Sequence, residues 1–285
     1  MNETPDLAIV TARLATFGLA ILLCGAAAFD LYAPANTPRP ARPQGRRVAA
    51  ALLALAALTY LGLLAREASG DPGWPAPGLV ADLYAGTGFG QALAVVQLAA
   101  LALTLTPAAP RFRWLRLTVS GIAMVALAFV GHGADDSGWK GDLRLLLLAG
   151  HLLAVAAWLG ALPRLYQALA PGSATSATLL QRFGVVGALS VTTVVATGVG
   201  SLIFIVATAG GQLGSAYATT LFVKLTFVLA LLCVAAVNRF WLTPKAERDP
   251  EGACRALRRT IVLEQALGAG ALASVAVLGQ LDPAM

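Results

Sequence analysis

The fold of this protein is decided by long apolar stretches, and the clearest of them is residues 217–242, YATTLFVKLTFVLALLCVAAVNRFWL. Only Lys224 and Arg239 in this stretch carry a charge. The hydrocarbon core of a bilayer is about 30 Å thick, and about 20 helical residues cross it. The stretch therefore predicts a transmembrane helix, because lipid offers no partner to backbone groups left free outside a helix or a closed barrel.

Comparable runs recur along the whole chain. Hydrophobic residues make up 58% of the 285 positions and charged residues 12%, about half the charged share of a soluble domain. We predict an all-α, polytopic membrane helix bundle of about eight spans, forming a single membrane domain over residues 1–285. The predicted spans are Leu7 to Tyr32, Val48 to Leu64, Leu79 to Leu105, Leu115 to His132, Leu143 to Tyr166, Phe183 to Ala207, Tyr217 to Leu242 and Leu257 to Leu281.

Basic residues concentrate in alternate loops. The odd-numbered loops carry Arg39, Arg42, Arg46, Arg47, Arg111, Arg113, Arg116, Arg164, Arg182, Lys245, Arg248, Arg255, Arg258 and Arg259. The even-numbered loops carry mainly acidic residues, namely Glu67, Asp71, Asp135, Asp136 and Asp142. Because positive loops stay in the cytoplasm, this pattern predicts that both termini face outward. The asymmetry accounts for the net charge of +6, so we predict no nucleic-acid partner.

The two histidines of the chain fall on the outward side of one predicted hairpin. His132 ends the fourth predicted span, and His151 lies in the fifth, about 12 Å from its outward end. An antiparallel hairpin can bring both imidazoles to one site, and neutral imidazole is a common protein ligand for copper and zinc. We therefore predict a metal site at His132 and His151. Met124 and Asp82 are second-rank candidate ligands, through a thioether and a carboxylate.

Two other ionisable side chains lie at membrane depth. Lys224 enters the seventh span from outside and Glu264 enters the eighth from inside, so a direct ion pair between them is not expected. Each is instead predicted to bond a neighbouring helix or to extend toward the interface. The two histidines leave a second interpretation open, because bis-His haem ligation also uses histidines of neighbouring helices.

Several short motifs in the second half of the chain resemble the CopD family of bacterial copper-resistance membrane proteins. His151 to Gly160, HLLAVAAWLG, resembles the signature helix of that family, and Gly131-His132-Gly133 resembles its Gly-His element. Further resemblances are the lysine-containing helix at Lys224 with its Asn238-Arg239-Phe240 end, and the last helix with Glu264. The resemblance covers residues from about Leu117 to the C-terminus, and the first three spans fit by hydropathy alone.

The resemblance implies a copper-homeostasis protein of the bacterial inner membrane that binds copper outside and transports it across the bilayer. It also implies a periplasmic copper chaperone similar to CopC, which we expect to be a separate chain. The sequence has no P-loop for ATP hydrolysis, so we expect a transporter driven by gradients and not an enzyme. Haem b is the alternative cofactor to copper, and a membrane scaffold for the chaperone is a third hypothesis.

Overall fold

The computed structural model of the protein describes residues 5–37, 44–70, 73, 75–130, 138–169, 174–246 and 248–283, and within these ranges it consists of helices joined by turns and short extended segments. The helices are α1 (Leu7–Tyr32), α2 (Gln44–Ser69), α3 (Pro77–Gly86), α4 (Gly88–Leu105), α5 (Arg113–Leu127), α6 (Trp139–Trp158), α7 (Leu162–Ala168), α8 (Ala174–Thr208), α9 (Ser215–Val237), α10 (Thr243–Lys245) and α11 (Pro250–Leu278). The predicted all-α membrane helix bundle is confirmed.

Seven helical segments in the described ranges are long and apolar enough to cross a bilayer. They are α1, α2, α4, α6 with α7, α8 from Ala177, α9 with α10, and α11. The fourth predicted span, Leu115 to His132, corresponds to α5, a helix of 15 residues followed by a turn up to Val130. Such a helix is about 22 Å long, shorter than the hydrocarbon core. The total of eight spans stays a prediction.

The third predicted span, Leu79 to Leu105, is wrong as one continuous helix, because the chain breaks at Thr87 between α3 and α4. Thr87 is extended, and its hydroxyl accepts a hydrogen bond from the backbone N–H of Gly90 at 3.1 Å, which caps α4. A Cβ on Gly90 would overlap the Leu83 carbonyl, so glycine permits this close turn. Hydropathy does not register such a break, because both sides of it are apolar.

Helix α1 lies at the centre of the bundle and packs against α2, α5, α6 and α11. It makes a close contact with the end of α6 and the first residues after it, where a Cβ on Gly25 or Gly160 would overlap the backbone of the other segment. Small residues at such a crossing let two helix backbones approach closely in a membrane. A 3₁₀ turn, Leu159–Ala161, follows directly and leads into α7.

Helices α8 and α9 stand at the outside of the bundle. The main packing partner of α8 is α6, and that of α9 is α11. Both expose rows of large apolar side chains, such as Leu189 and Ile203 on α8 and Phe222 and Leu229 on α9. Lipid is the solvent that such surfaces fit, because they have few polar groups for water to solvate.

The odd-numbered loops meet at one end of the bundle, which we call the arginine end. Asp30 at the end of α1 pairs with Arg116 at 3.4 Å and with Arg164 at 3.2 Å. Arg46 donates to the Thr106 carbonyl at 2.6 Å, and Arg182 donates to the Tyr32 carbonyl at 3.0 Å. The basic loops that the sequence groups together are therefore together in space.

The opposite end of the bundle, which we call the terminal end, joins the start of α1 to the end of α2. Asp6 caps α1 through the backbone of Ala8 and pairs with Arg66 of α2 at 3.2 Å. The residues before α9 and after α11 also meet here, because the Gly214 N–H donates to the Pro283 carbonyl at 3.0 Å. The side of the membrane that each end faces stays a prediction.

Candidate functional site

His151 is the central residue of the candidate site, and it lies on the face of α6 that packs against α8. It is twelve residues from Trp139, so it is about 18 Å along the helix from the start of α6. Its Nδ1 atom is 3.0 Å from the hydroxyl oxygen of Thr197. Gly198, the next residue on α8, also borders the ring, and a Cβ there would stand 3.6 Å from Cε1 of His151, an ordinary van der Waals distance.

The hydrogen bonds of Thr197 favour one of the two neutral tautomers of His151. A hydroxyl has one hydrogen, and Thr197 donates it to the backbone carbonyl of Thr193 one turn earlier. The hydroxyl oxygen therefore accepts from His151, so Nδ1–H is the donor. Val194, whose backbone also interacts with the ring, offers a second acceptor. In this tautomer Nε2 carries a free lone pair, which is the form of imidazole that binds a metal.

Lys224 of α9 is the charged side chain that acts on His151. It is half-buried on α9 and acts on His151 through its charge, whereas Thr197 of α8 contacts the ring directly. The sequence places Lys224 at membrane depth, but it indicates neither the link to His151 nor the role of Thr197. The only sequence signal for Thr197 is a threonine next to glycine in the middle of an apolar helix.

The other predicted ligands are distributed over different parts of the chain. His132 lies outside the described residues, so its pairing with His151 stays a prediction. Met124 has no exposed surface and packs in the core formed by α1, α2, α4, α5 and α6. Asp82 is exposed on α3. Within the described ranges, no three His, Cys, Asp or Glu residues form a group that could hold a metal.

Two sulfur-containing side chains, Cys24 and Met124, lie in the same core. The Cys24 thiol of α1 is hydrogen-bonded to the Ser120 side chain of α5, and Ser120 is four residues from Met124 on that helix. Residues four apart share a helix face. The Ser120 hydroxyl donates to the Arg116 carbonyl at 2.8 Å, which anchors it inside α5. Cys24 and Met124 therefore line one buried interface, separate from the α8-facing side of His151.

A second polar group occurs nearer the arginine end, in a cavity between α8, α9 and α11. Glu264 lines it together with Asn238 and Arg239. Glu264 is predicted from the sequence to bond a neighbouring helix or to extend toward the interface. In the structure it is buried and interacts with the side chain of Asn238, the residue directly after α9. The two polar groups of the outer helices therefore lie at different levels, with His151 and Lys224 at one and Glu264 and Asn238 at the other.

Comparison with known proteins relates almost the whole chain to copper resistance. The family described as "Copper resistance protein D-like, N-terminal domain" matches residues 3–142, and the family described as "Copper resistance protein D" matches residues 177–278. Copper resistance protein D of Pseudomonas syringae pv. tomato is 29% identical over 305 aligned residues, covering 97% of each chain. Inner membrane protein YebZ of Escherichia coli (strain K12) is 30% identical over 169 residues, or 56% of each chain. No solved structure matches the chain.

Proposed function

Because this chain belongs to the copper resistance protein D family, we propose that it binds copper at the periplasmic face of the bacterial inner membrane and carries it across. Its copper-related membrane function follows from the family and from the helices that can span a bilayer. We propose in addition the copper-binding site, the transport step and the location in the inner membrane.

The observation that carries the proposal is the hydrogen bonding of His151. Thr197 holds Nδ1–H and leaves the Nε2 lone pair free, which is how a metal-binding histidine is normally oriented by its surroundings. In this proposal Nε2 of His151 is a copper ligand, and His132 is the second. Met124 and Asp82 remain second-rank candidate ligands, although Met124 packs in the core of α1, α2, α4, α5 and α6 and Asp82 is exposed on α3.

Transport in this proposal needs no enzymatic step. An inside-negative membrane potential favours inward movement of a cation by about 2.3 kcal/mol per charge for every 100 mV. If the arginine end faces the cytoplasm, His151 is reached from the periplasm, where a copper chaperone similar to CopC would deliver the ion. The terminal end would then be the docking side for that chaperone.

Copper analysis of purified protein tests the binding site directly. We expect wild-type protein to retain bound copper, and we expect His151→Ala to lose most of it, at least tenfold in affinity, because a ligand is removed. Leu153→Ala is the matched control, since Leu153 lies two residues away on α6 and is exposed. An absorption spectrum of the same samples tests the haem alternative.

Two results would contradict this assignment. Unchanged copper binding in both His151→Ala and the His132→Ala/His151→Ala double variant would exclude the histidines as ligands. A haem Soret band in wild-type protein that disappears in His151→Ala would instead make the protein a haem b cytochrome.

A further inference from the structure

The cavity between α8, α9 and α11 has a volume of about 290 Å³ and is lined mainly by apolar side chains. It exists because α8 packs mainly on α6 while α9 packs mainly on α11, so that the two outer helices diverge. Trp158 and Leu165 of the inner row form part of its wall. An apolar cavity of this kind is an unfavourable place for a charge, so each polar group in it requires an explanation.

Glu264 is the acidic group of this cavity. It lies in the middle of α11 and is only 3% exposed. No ion pair of Glu264 occurs among the described residues, and its one identified partner is the neutral side chain of Asn238. Burial of a carboxylate without a counter-ion is unfavourable, because the charge loses its hydration. A carboxylic acid is neutral and avoids this penalty.

Asn238, which also lines the cavity, has an unsatisfied polar atom. It begins a π-helical turn, Asn238–Leu242, which interrupts α9 before α10, and such turns are frequent at functional sites. Its Oδ1 atom is buried and has no hydrogen-bond partner. A carboxylate can only accept a hydrogen bond from the Asn238 amide. A protonated Glu264 can accept one and donate its O–H to Oδ1 as well, so proton binding would satisfy the orphaned oxygen.

Arg239 is the other titratable side chain among the residues that line the cavity, and it packs toward α8. Its guanidinium lies against Gly184 of α8, where a Cβ would overlap it. No salt bridge between Arg239 and Glu264 is present in the described part of the chain. Glycine at position 184 therefore makes room for a cation that borders the cavity without neutralising Glu264.

From this cavity, its buried acid and the orphaned amide oxygen, we propose that Glu264 and Asn238 form a proton-binding site that couples proton movement to transport. The Glu264 carboxylate takes a proton from a hydronium ion, leaving water, and its charge changes from −1 to zero. Release of the proton restores the carboxylate. The coupling role rests on the proposed copper transport, while proton binding itself does not.

The two sites share the same helices at different levels. Lys224 acts on His151, and Asn238 interacts with Glu264. Asn238 follows Lys224 by fourteen residues, which corresponds to about 21 Å along α9 and the start of the turn after it. Helices α8 and α9 both contribute to each site. A movement of α8 relative to α9 would therefore change the surroundings of the copper ligand and of the proton site together.

Infrared spectroscopy of protein in nanodiscs tests proton binding without copper. We expect wild-type protein to have the carbonyl band of a buried carboxylic acid that disappears as the pH is raised. Glu264→Gln should lack this band, and Glu251→Gln, a change at an exposed acid of α11, should keep it. Asn238→Leu should keep the band and shift its titration to a different pH. Absence of the band in wild-type protein at every pH, or its persistence in Glu264→Gln, would overturn the proton site.

Proteoliposomes loaded with a pH-sensitive dye test the coupling. Copper added to wild-type vesicles should produce a pH change inside, and Glu264→Gln should reduce that change at least tenfold while copper binding at His151 is retained. Equal pH changes in wild type and Glu264→Gln would overturn the coupling. His151→Ala separates the two proposals. Loss of copper uptake with an intact carboxylic acid band supports both of them. Normal copper uptake overturns the copper assignment, and the infrared band then decides the proton site.

Discussion

At the scale of single residues, the candidate site depends on a threonine that no metal-binding motif would include. Thr197 accepts the Nδ1–H of His151 because its own hydrogen is already donated to the Thr193 carbonyl. The sequence identifies His151 by rarity and depth, but it contains no information on which residue of α8 faces that helix. That depends on how α6 and α8 are rotated, which only their packing determines.

Lys224 gives the first prediction at this scale. Its ammonium group interacts electrostatically with His151, and it would repel a copper cation bound there. Two unit charges about 10 Å apart interact by about 1.7 kcal/mol at an effective dielectric constant of about 20, which corresponds to more than a tenfold change in affinity. Lys224→Met should therefore strengthen copper binding about tenfold, as measured by competition with a calibrated chelator.

The control for this prediction is Lys140→Met. Lys140 is an exposed cation at the start of α6, eleven residues from His151, and its loss should leave the copper affinity unchanged. Weaker binding in Lys224→Met would contradict the account, because it would mean that the lysine helps to hold the ligand.

At the scale of elements, the long apolar helices could be predicted from the sequence and their interruptions could not. Both sides of the break at Thr87 are apolar, so hydropathy runs through it, although the threonine cap and Gly90 determine it locally. Hydropathy gives no indication of the π-helical turn at Asn238 either, since apolar residues lie on both sides of it. A hydropathy pattern therefore predicts the helices but not where they are interrupted.

The crossing of α1 and α6 gives the prediction at this scale. A Cβ on Gly160 would overlap the Ile21 carbonyl, so Gly160→Ala must push the two helices apart. Overpacking of this kind costs about 1–3 kcal/mol. We expect a lower midpoint of thermal unfolding in detergent for Gly160→Ala. Gly121→Ala is the matched control, because nothing lies within 4 Å of a Cβ there, and an equal effect of both changes would contradict the close crossing.

At the scale of the whole molecule, the grouping of charged loops could be predicted from the sequence. Asp30, Arg116 and Arg164 come from separate parts of the chain and meet at the arginine end. They meet there because loops alternate with apolar helices, so every second loop lies at the same end of the bundle. The division of the outer helices between two partners could not be predicted, since α8 and α9 have similar apolar surfaces and differ only in which inner helix they fit.

The central claim, that copper crosses the membrane by way of His151, is tested most directly by copper uptake into proteoliposomes with an inside-negative potential. We predict that wild-type protein accumulates copper inside the vesicles and that Leu153→Ala does the same. His151→Ala should reduce the initial rate at least tenfold while inserting into the vesicles in the same amount. An unchanged rate in His151→Ala would contradict the account.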